Sequence, residues 1–358
     1  MEQEYSVNLA APTGFLASTY RGKFTEDNFS ADTIHALFKY PVDPAERPRI
    51  NWQLINTDLL VIDEISMVPL KIFQHIINTI QQLYIRPVVL LCGDSQQQQP
   101  IETVDGKVQA ASSILQHKDF YSVCKRVNFV TQHRCQDPQY AAILDTLRYY
   151  KPNQGLLDRL EADRIIFHKT DISDREIRKV LVDQPEAQVL TVSSKSTNRV
   201  NNIALSLFET EAYFGEVAYD SDLAKAPLYR GLKVVITQNR DKQNGVVNGQ
   251  PATVLHREGA SIFLVHPKGY ICCVYPVTLI DQAGNRKTVY PFTPAYSSTI
   301  TKIQGQNMKK VILWLDCEKV PKGGAYVALS RIRKHEDLLF MHKTSVQQYL
   351  PVELDPTE

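Results

Sequence analysis

Asp58-Leu-Leu-Val-Ile-Asp-Glu-Ile-Ser-Met67 is the stretch that decides the fold class. Leu59 to Ile62 are apolar without interruption, and two acids follow at once. A run with no polar alternation suits a strand covered on both faces, as in parallel sheets flanked by helices. Downstream, Ile72, Phe73, Ile76, Ile77, Ile80 and Leu83 recur at helical spacing. Pro69 fits the first turn of that helix. Pro87-Val-Val-Leu-Leu-Cys92 then reads as a second buried strand, ending in Gly93-Asp94. Upstream, Tyr5 to Ala10 reads as another strand. Strand, acidic loop, helix, strand and polar loop in that order make half of a nucleotide-binding α/β domain.

The pattern resumes further on. Glu186 to Val192 and Lys310 to Leu315 are strand-like, and Thr197 to Glu209 is helical in pattern. Between about 241 and 291 the character changes to alternating β-rich sequence punctuated by Asn248-Gly249, Gly259, Pro267-Lys-Gly269 and Gly284-Asn285. This reads as a small β-barrel inserted into a second α/β unit that begins near residue 129. At about 150 residues per domain, 358 residues also suggest two domains.

Composition narrows the function classes. Hydrophobic residues are 43% and charged residues 22%, which excludes a disordered or collagen-like chain. Net charge is +1, so nucleic-acid binding has no global basic excess to rest on, and any such site is local. The small basic excess lies after residue 128. No stretch approaches 18 apolar residues, which argues against a membrane span. The N-terminus opens with Glu2 and Glu4 and lacks the basic and apolar segments of a secretory or transit signal. The six cysteines include no Cys-x-x-Cys pair, which disfavours zinc and points to reduced thiols in a nuclear or cytoplasmic protein, with a mitochondrial location left open.

Three constellations carry chemistry. Asp63-Glu64 closes a strand at the edge where parallel sheets bind ligands. Asp63 is suited to Mg²⁺, directly or through water, and Glu64 to polarising an attacking water; a solvated loop is the plain alternative. Gly93-Asp94-Ser-Gln-Gln97-Gln-Gln-Pro100 follows the next strand, where an uncharged glutamine can bond a terminal phosphate or an in-line water. Arg134 and Arg331 lie in polar settings and offer the planar charge that a phosphate in transition needs.

The segments APTGFLAS (11–18), ADTIHALF (31–38), LLVIDEISM (59–67), LLCGDSQQQQPI (90–101), TQHRCQDPQY (131–140), GVVNGQPATV (245–254), AYSSTITKIQGQ (295–306) and YVALSRIRK (326–334) follow one another in an order that resembles superfamily-one helicases of the RecD/Pif type. The resemblance covers almost the whole chain. It implies an α/β fold of two RecA-like P-loop NTPase domains with a small SH3-like β insertion in the second. The first domain is expected over 1–128, the second over 129–240 and 292–350, the insertion over 241–291 and a tail over 351–358. It also implies an ATP- and Mg²⁺-dependent motor on single-stranded DNA or a DNA fork, usually moving 5′→3′, in replication, repair or recombination. ATP is its only small-molecule substrate.

Carried over by motif, Asp63 resembles the Mg²⁺-associated acid, Glu64 the catalytic base and Gln97 the sensor of the terminal phosphate. Asp94 belongs to the same nucleotide set. Arg134 resembles the arginine reaching the phosphates from the second domain, and Arg331 the arginine finger. Pro12, Thr13, Thr33, His35, Thr299, Thr301 and Lys302 fall in the segments that contact the DNA strand. Phe38 is either a base-stacking platform or a core residue.

The sequence also departs from the family. It contains no G-x-x-x-x-G-K-[ST]. Gly22-Lys23 has Ala17 where the first glycine belongs and Phe24 after the lysine, and it follows the APTG segment instead of preceding it. The family form TIHKSQGQ reads TITKIQGQ here, with Thr301 replacing the histidine and Ile303 a small hydroxyl residue. The expectation is an N-terminally shortened copy of a working helicase. The competing one is a hydrolysis-deficient nucleic-acid-binding module.

Overall fold

The computed structural model describes residues 5–24, 26–41, 46–104, 107–116, 124–129, 133–209, 211–221, 225–280 and 286–353. Its first unit is a parallel sheet of β1 (Val7–Ala11), β2 (Phe29–Thr33), β3 (Leu59–Ile62) and β4 (Val88–Leu91) in the order β2-β1-β3-β4. Helix α1 (Gly14–Arg21) leaves β1, the short α2 (Ile34–Leu37) leaves β2, and α3 (Leu70–Gln82) joins β3 to β4. The apolar face of α3 buries Ile72, Phe73 and Ile76 against Leu60 and Ile62 of β3. Pro69 is the residue before α3, extended at φ −61° and ψ 145°, and not part of the first turn.

Two expectations change here. Phe38 is fully buried in this core, so it does not face a base. β4 was expected to be buried but is the sheet's edge strand, with Val88 69%, Val89 41% and Leu90 50% exposed. An apolar run reads alike whether or not both of its flanks are covered. Among the described residues β4 pairs with β3 alone.

The second unit is a five-stranded parallel sheet ordered Ser297–Thr299, Gln188–Thr191, Val311–Trp314, Leu338–His342 and Ile165–Phe167. Helices Pro138–Tyr149, Gln154–Glu161, Asp174–Asp183, Ser194–Leu205 and Gly324–Leu329 accompany it. The β-rich region is wider than the expected 241–291. Its strands begin at Tyr213 and end at Pro294. The five-stranded antiparallel sheet needs Lys233–Ile236, which pairs with both Pro251–Glu258 and Phe292–Pro294. Those pairings are long-range, so local alternation placed the boundaries too far inward. Val234, Val254, Ile262, Leu264 and Phe292 form its separate core. Among the described residues no helix is long and apolar enough to cross a membrane.

Candidate functional site

Both acidic loops emerge at the C-terminal ends of β3 and β4, and the second unit closes over them. Asp63 follows β3 directly. Its Oδ2 accepts a 2.6 Å hydrogen bond from the Tyr20 hydroxyl of α1, and its Oδ1 accepts one from the Glu64 amide at 2.9 Å. Each oxygen keeps a lone pair for a hard cation. Glu64 is held at φ +50°, a left-handed conformation uncommon for a residue with a side chain and characteristic of functional turns. Its Oε2 is buried without a hydrogen-bond partner among the described residues. Burial, then the charge of Asp63, pushes the Glu64 carboxyl above its ordinary value, with Arg331 and Arg134 pulling the other way. A buried carboxylate of raised basicity suits proton abstraction from water.

Gly93 has the space it needs and no more: a Cβ there would lie 2.9 Å from Ile65 Cγ2 and 3.0 Å from its amide nitrogen. The following loop is gripped from the second unit. Asp94 Oδ1 pairs with Arg148 Nη2 at 2.8 Å, and Tyr326 donates to Oδ2 at 3.4 Å. Gln96, with its amide turned to satisfy both groups, donates to the carbonyls of Arg148 and Val352 at 3.1 Å each. The Thr301 hydroxyl lies 3.0 Å from Gln98 Nε2 and 3.1 Å from Oε1, and Gln304 donates to the Gln98 carbonyl at 3.2 Å. Gln97 makes no such side-chain bond: its Oε1 is buried with no partner among the described residues, and the residue lines a cavity of about 240 Å³ shared with Asp94, His133, Arg134, Arg148 and Tyr326.

The second unit's arginines take different postures. Arg134 is exposed and donates to the Ser330 carbonyl at 3.1 Å. Arg331 is only 1% exposed, and its donors reach Val327 O (2.8 Å), Ser330 Oγ (2.8 Å) and Gln306 O (3.4 Å). Burial, then the neighbouring Arg134, lowers it to about 10, offset by Glu64. It is therefore a fixed positive charge set behind the seam, with its fork already engaged in its own domain. Asp63, Glu64, Asp94, Gln97, Arg134 and Arg331 converge at this one seam.

The expected strand residues flank it, with roles the sequence did not show. Thr13 accepts from the Leu16 amide at 3.2 Å and caps α1, and Thr33 accepts from Ala36 at 3.3 Å and caps α2. Pro12 is half-buried beside Thr13. His35 stands edge-on to Tyr40, and burial holds its imidazole below its usual value. Thr299 ends the outer strand of the second sheet, mostly buried, while Lys302 points to solvent one turn on. Thr301, expected beside the strand, has its hydroxyl on the Gln98 amide. Gly14 also gains a reason: a Cβ there would lie 2.2 Å from Asn239 Oδ1 of the β-rich unit. That unit also anchors Lys242 on both oxygens of Asp32 at 2.7 Å.

Tyr20 and Arg148 were missed. Tyr20 lies in the helix opened by the APTG segment, a position that carries no motif of its own. Arg148 lies on an ordinary-looking amphipathic helix, and only the packing of two domains brings it to Asp94.

Comparison with known proteins places this geometry. A family model described as an AAA domain matches residues 1–170. The ATP-dependent DNA helicase PIF1 of Xenopus laevis is 22% identical over 368 aligned positions, covering 94% of this chain and 54% of that protein. Pif1 of Campylobacter jejuni is 24% identical over 319, covering 78% and 68%. The chain thus spans about half the length of the frog relative. Among solved structures, a Pif1 helicase from work on unwinding at forked double-stranded DNA superposes with TM-score 0.74, at 22% identity over 98% of this chain and 85% of that one. Bacteroides Pif1 in complex with ADP-AlF3 and single-stranded DNA gives 0.70 at 22%, over 98% and 86%. Candida albicans Pif1 gives 0.65 at 18%, over 98% and 93%. The fold is thus a pair of RecA-like α/β domains that meet at a seam. More narrowly, the chain is Pif-like in its fold and in the order of its motifs.

Proposed function

We propose that the chain is the body of an ATP-dependent DNA helicase that grips single-stranded DNA and moves 5′→3′ along it, in replication, repair or recombination. One observation carries this reading: three acids (Asp63, Glu64 and Asp94) and Gln97 of the first domain meet Arg134 and Arg331 of the second at a single seam, with the expected strand segments beside it. A polyphosphate with its cation would sit between these charges and add to the contacts that already join the two sides.

The donor set fits Mg²⁺ and a terminal phosphate. Asp63 supplies hard oxygen ligands for the cation. Glu64 Oε2 and Gln97 Oε1, buried without a partner among the described residues, are acceptors suited to the protons of a water, while the Arg134 guanidinium supplies the N–H donors a phosphate needs. The lysine-bearing loop that cradles the inner phosphates is not in this sequence. When bound, Mg²⁺ neutralises charge on the phosphates. Glu64 then takes a proton from the attacking water, Gln97 holds that water or the terminal phosphate in line, and Arg134 swings from Ser330 to meet the developing charge. Arg331 stays in place and favours negative charge at the seam.

A second reading is a binding module that occupies single strands without turnover. Two assays separate them. The 358-residue chain is expected to bind single-stranded oligonucleotide and to show little DNA-stimulated hydrolysis. Fused behind a strand–phosphate-loop–helix segment, it is expected to hydrolyse ATP in a DNA-stimulated manner that Glu64→Gln abolishes. A fusion that binds ATP and DNA but never turns over would establish the module instead.

A further inference from the structure

Gln98 and Thr301 join the two halves of the machinery through a direct side-chain contact. Gln98 is 3% exposed and adjoins Gln97, the residue aimed into the seam cavity. Thr301 lies in the single turn Ile300–Ile303 between mostly buried Thr299 and solvent-facing Lys302, two of the expected strand contacts. The Thr301 hydroxyl sits astride the Gln98 amide, and Gln304, itself 5% exposed, donates to the Gln98 carbonyl. Three polar contacts therefore tie one buried glutamine to one turn of the other domain. Leaving such an amide unpaired would cost about 1–3 kcal/mol.

We propose that Thr301 is a positioning residue: it transmits strand occupancy at the Thr299–Lys302 turn to the Gln96–Gln99 loop through Gln98, and does not itself touch the strand. The inference rests on the strand-binding reading above. A strand pulling on Lys302 displaces the turn, and the turn carries Gln98 with it because the Gln98 amide, buried at 3% exposure, is held by the half-buried Thr301 hydroxyl and by Gln304. Gln97, one residue back, then shifts its unpartnered carbonyl in the cavity. Apolar contact at this point would slide, whereas a directional bond holds register.

Hydrogen–deuterium exchange on the full chain, with and without a saturating thymidine oligonucleotide, reads this directly. The reporters are the Gln96 and Gln97 amides, which bond Asp94 Oδ1 at 3.0 Å and the Asp94 carbonyl at 3.1 Å. In the wild type, the strand is expected to change their exchange by about fivefold or more, the lower range of site-to-site coupling. Thr301→Val is expected to keep oligonucleotide affinity within about threefold while the change disappears, and Thr301→Ser to restore it. An exchange response that survives Thr301→Val, or that is absent in a wild type that binds the strand, overturns the proposal. So does a loss of affinity of about tenfold or more in Thr301→Val, which would make the hydroxyl a strand contact. A wild type that does not bind the oligonucleotide at all would instead remove the strand-binding reading.

Discussion

The Tyr20 hydroxyl donates to Asp63 Oδ2 at 2.6 Å, so the helix that begins at Thr13 is tied to the acid ending β3. Burial, then this bond, raises the Tyr20 hydroxyl well above its ordinary value, so the phenol stays protonated and remains a donor at all physiological pH. Tyr20→Phe removes a charge-assisted bond at a half-buried site and is expected to destabilise the first domain by about 1.5 kcal/mol. Denaturant unfolding checks it. In an Asp63→Asn background the same change should cost less than half as much, because the ionised acceptor has gone.

Glu64 predicts a stability effect opposite to its effect on chemistry. Its folded carboxyl is raised, so the folded state binds the proton more tightly than the unfolded chain. The sign follows: its ionisation costs no stability below the ordinary glutamate range, and the folded state loses stability as pH rises through the raised value. Glu64→Gln is therefore expected to be more stable than wild type at pH 8. The gain should vanish near pH 4. Paired thermal melts across that range measure it.

Gly323 holds the second domain against the Gln96–Gln97 backbone of the first. It sits at φ +74°, and a Cβ there would lie 2.8 Å from the Gln96 carbonyl oxygen and 2.9 Å from Val352 Cγ2. Gly323→Ala is expected to cost about 3 kcal/mol, from backbone strain and a clash across the seam. Gly269 has φ +89° with nothing within 4 Å, so Gly269→Ala should cost only about 1 kcal/mol. Comparing the two by chemical denaturation separates the clash from the backbone.

Lys302 is expected to act as a point charge toward the strand. Lys302→Ala should weaken oligonucleotide binding equally for different base compositions and lower the log–log salt slope by about 0.7. Fluorescence anisotropy titrations at several salt concentrations give both quantities.

The parts of the fold legible in the sequence were those set by local pattern. Leu59–Ile62 and the 3.6-residue spacing of Ile72, Phe73 and Ile76 identify strand and helix because burial demands those patterns wherever they occur. Motif order likewise brought Asp63, Glu64, Gln97, Arg134 and Arg331 to one place. What escaped depends on partners distant in sequence. Val88–Leu90 cannot reveal whether a neighbour covers them, and Lys233–Ile236 joins the β-rich sheet through strands far along the chain. Of four consecutive glutamines, only packing decides that Gln96 and Gln98 bind the second domain while Gln97 faces the cavity. Thr13 and Thr33 show the same limit, since a hydroxyl suited to a phosphate is equally suited to a helix cap.

The proposed grip on a single nucleic-acid strand is read by anisotropy of a labelled thymidine oligonucleotide with the 358-residue chain, titrated across salt and in competition with unlabelled duplex. Binding is expected to weaken steeply with salt, change little with base sequence and resist competition by duplex. No binding at low salt, or equal competition by duplex, would contradict it.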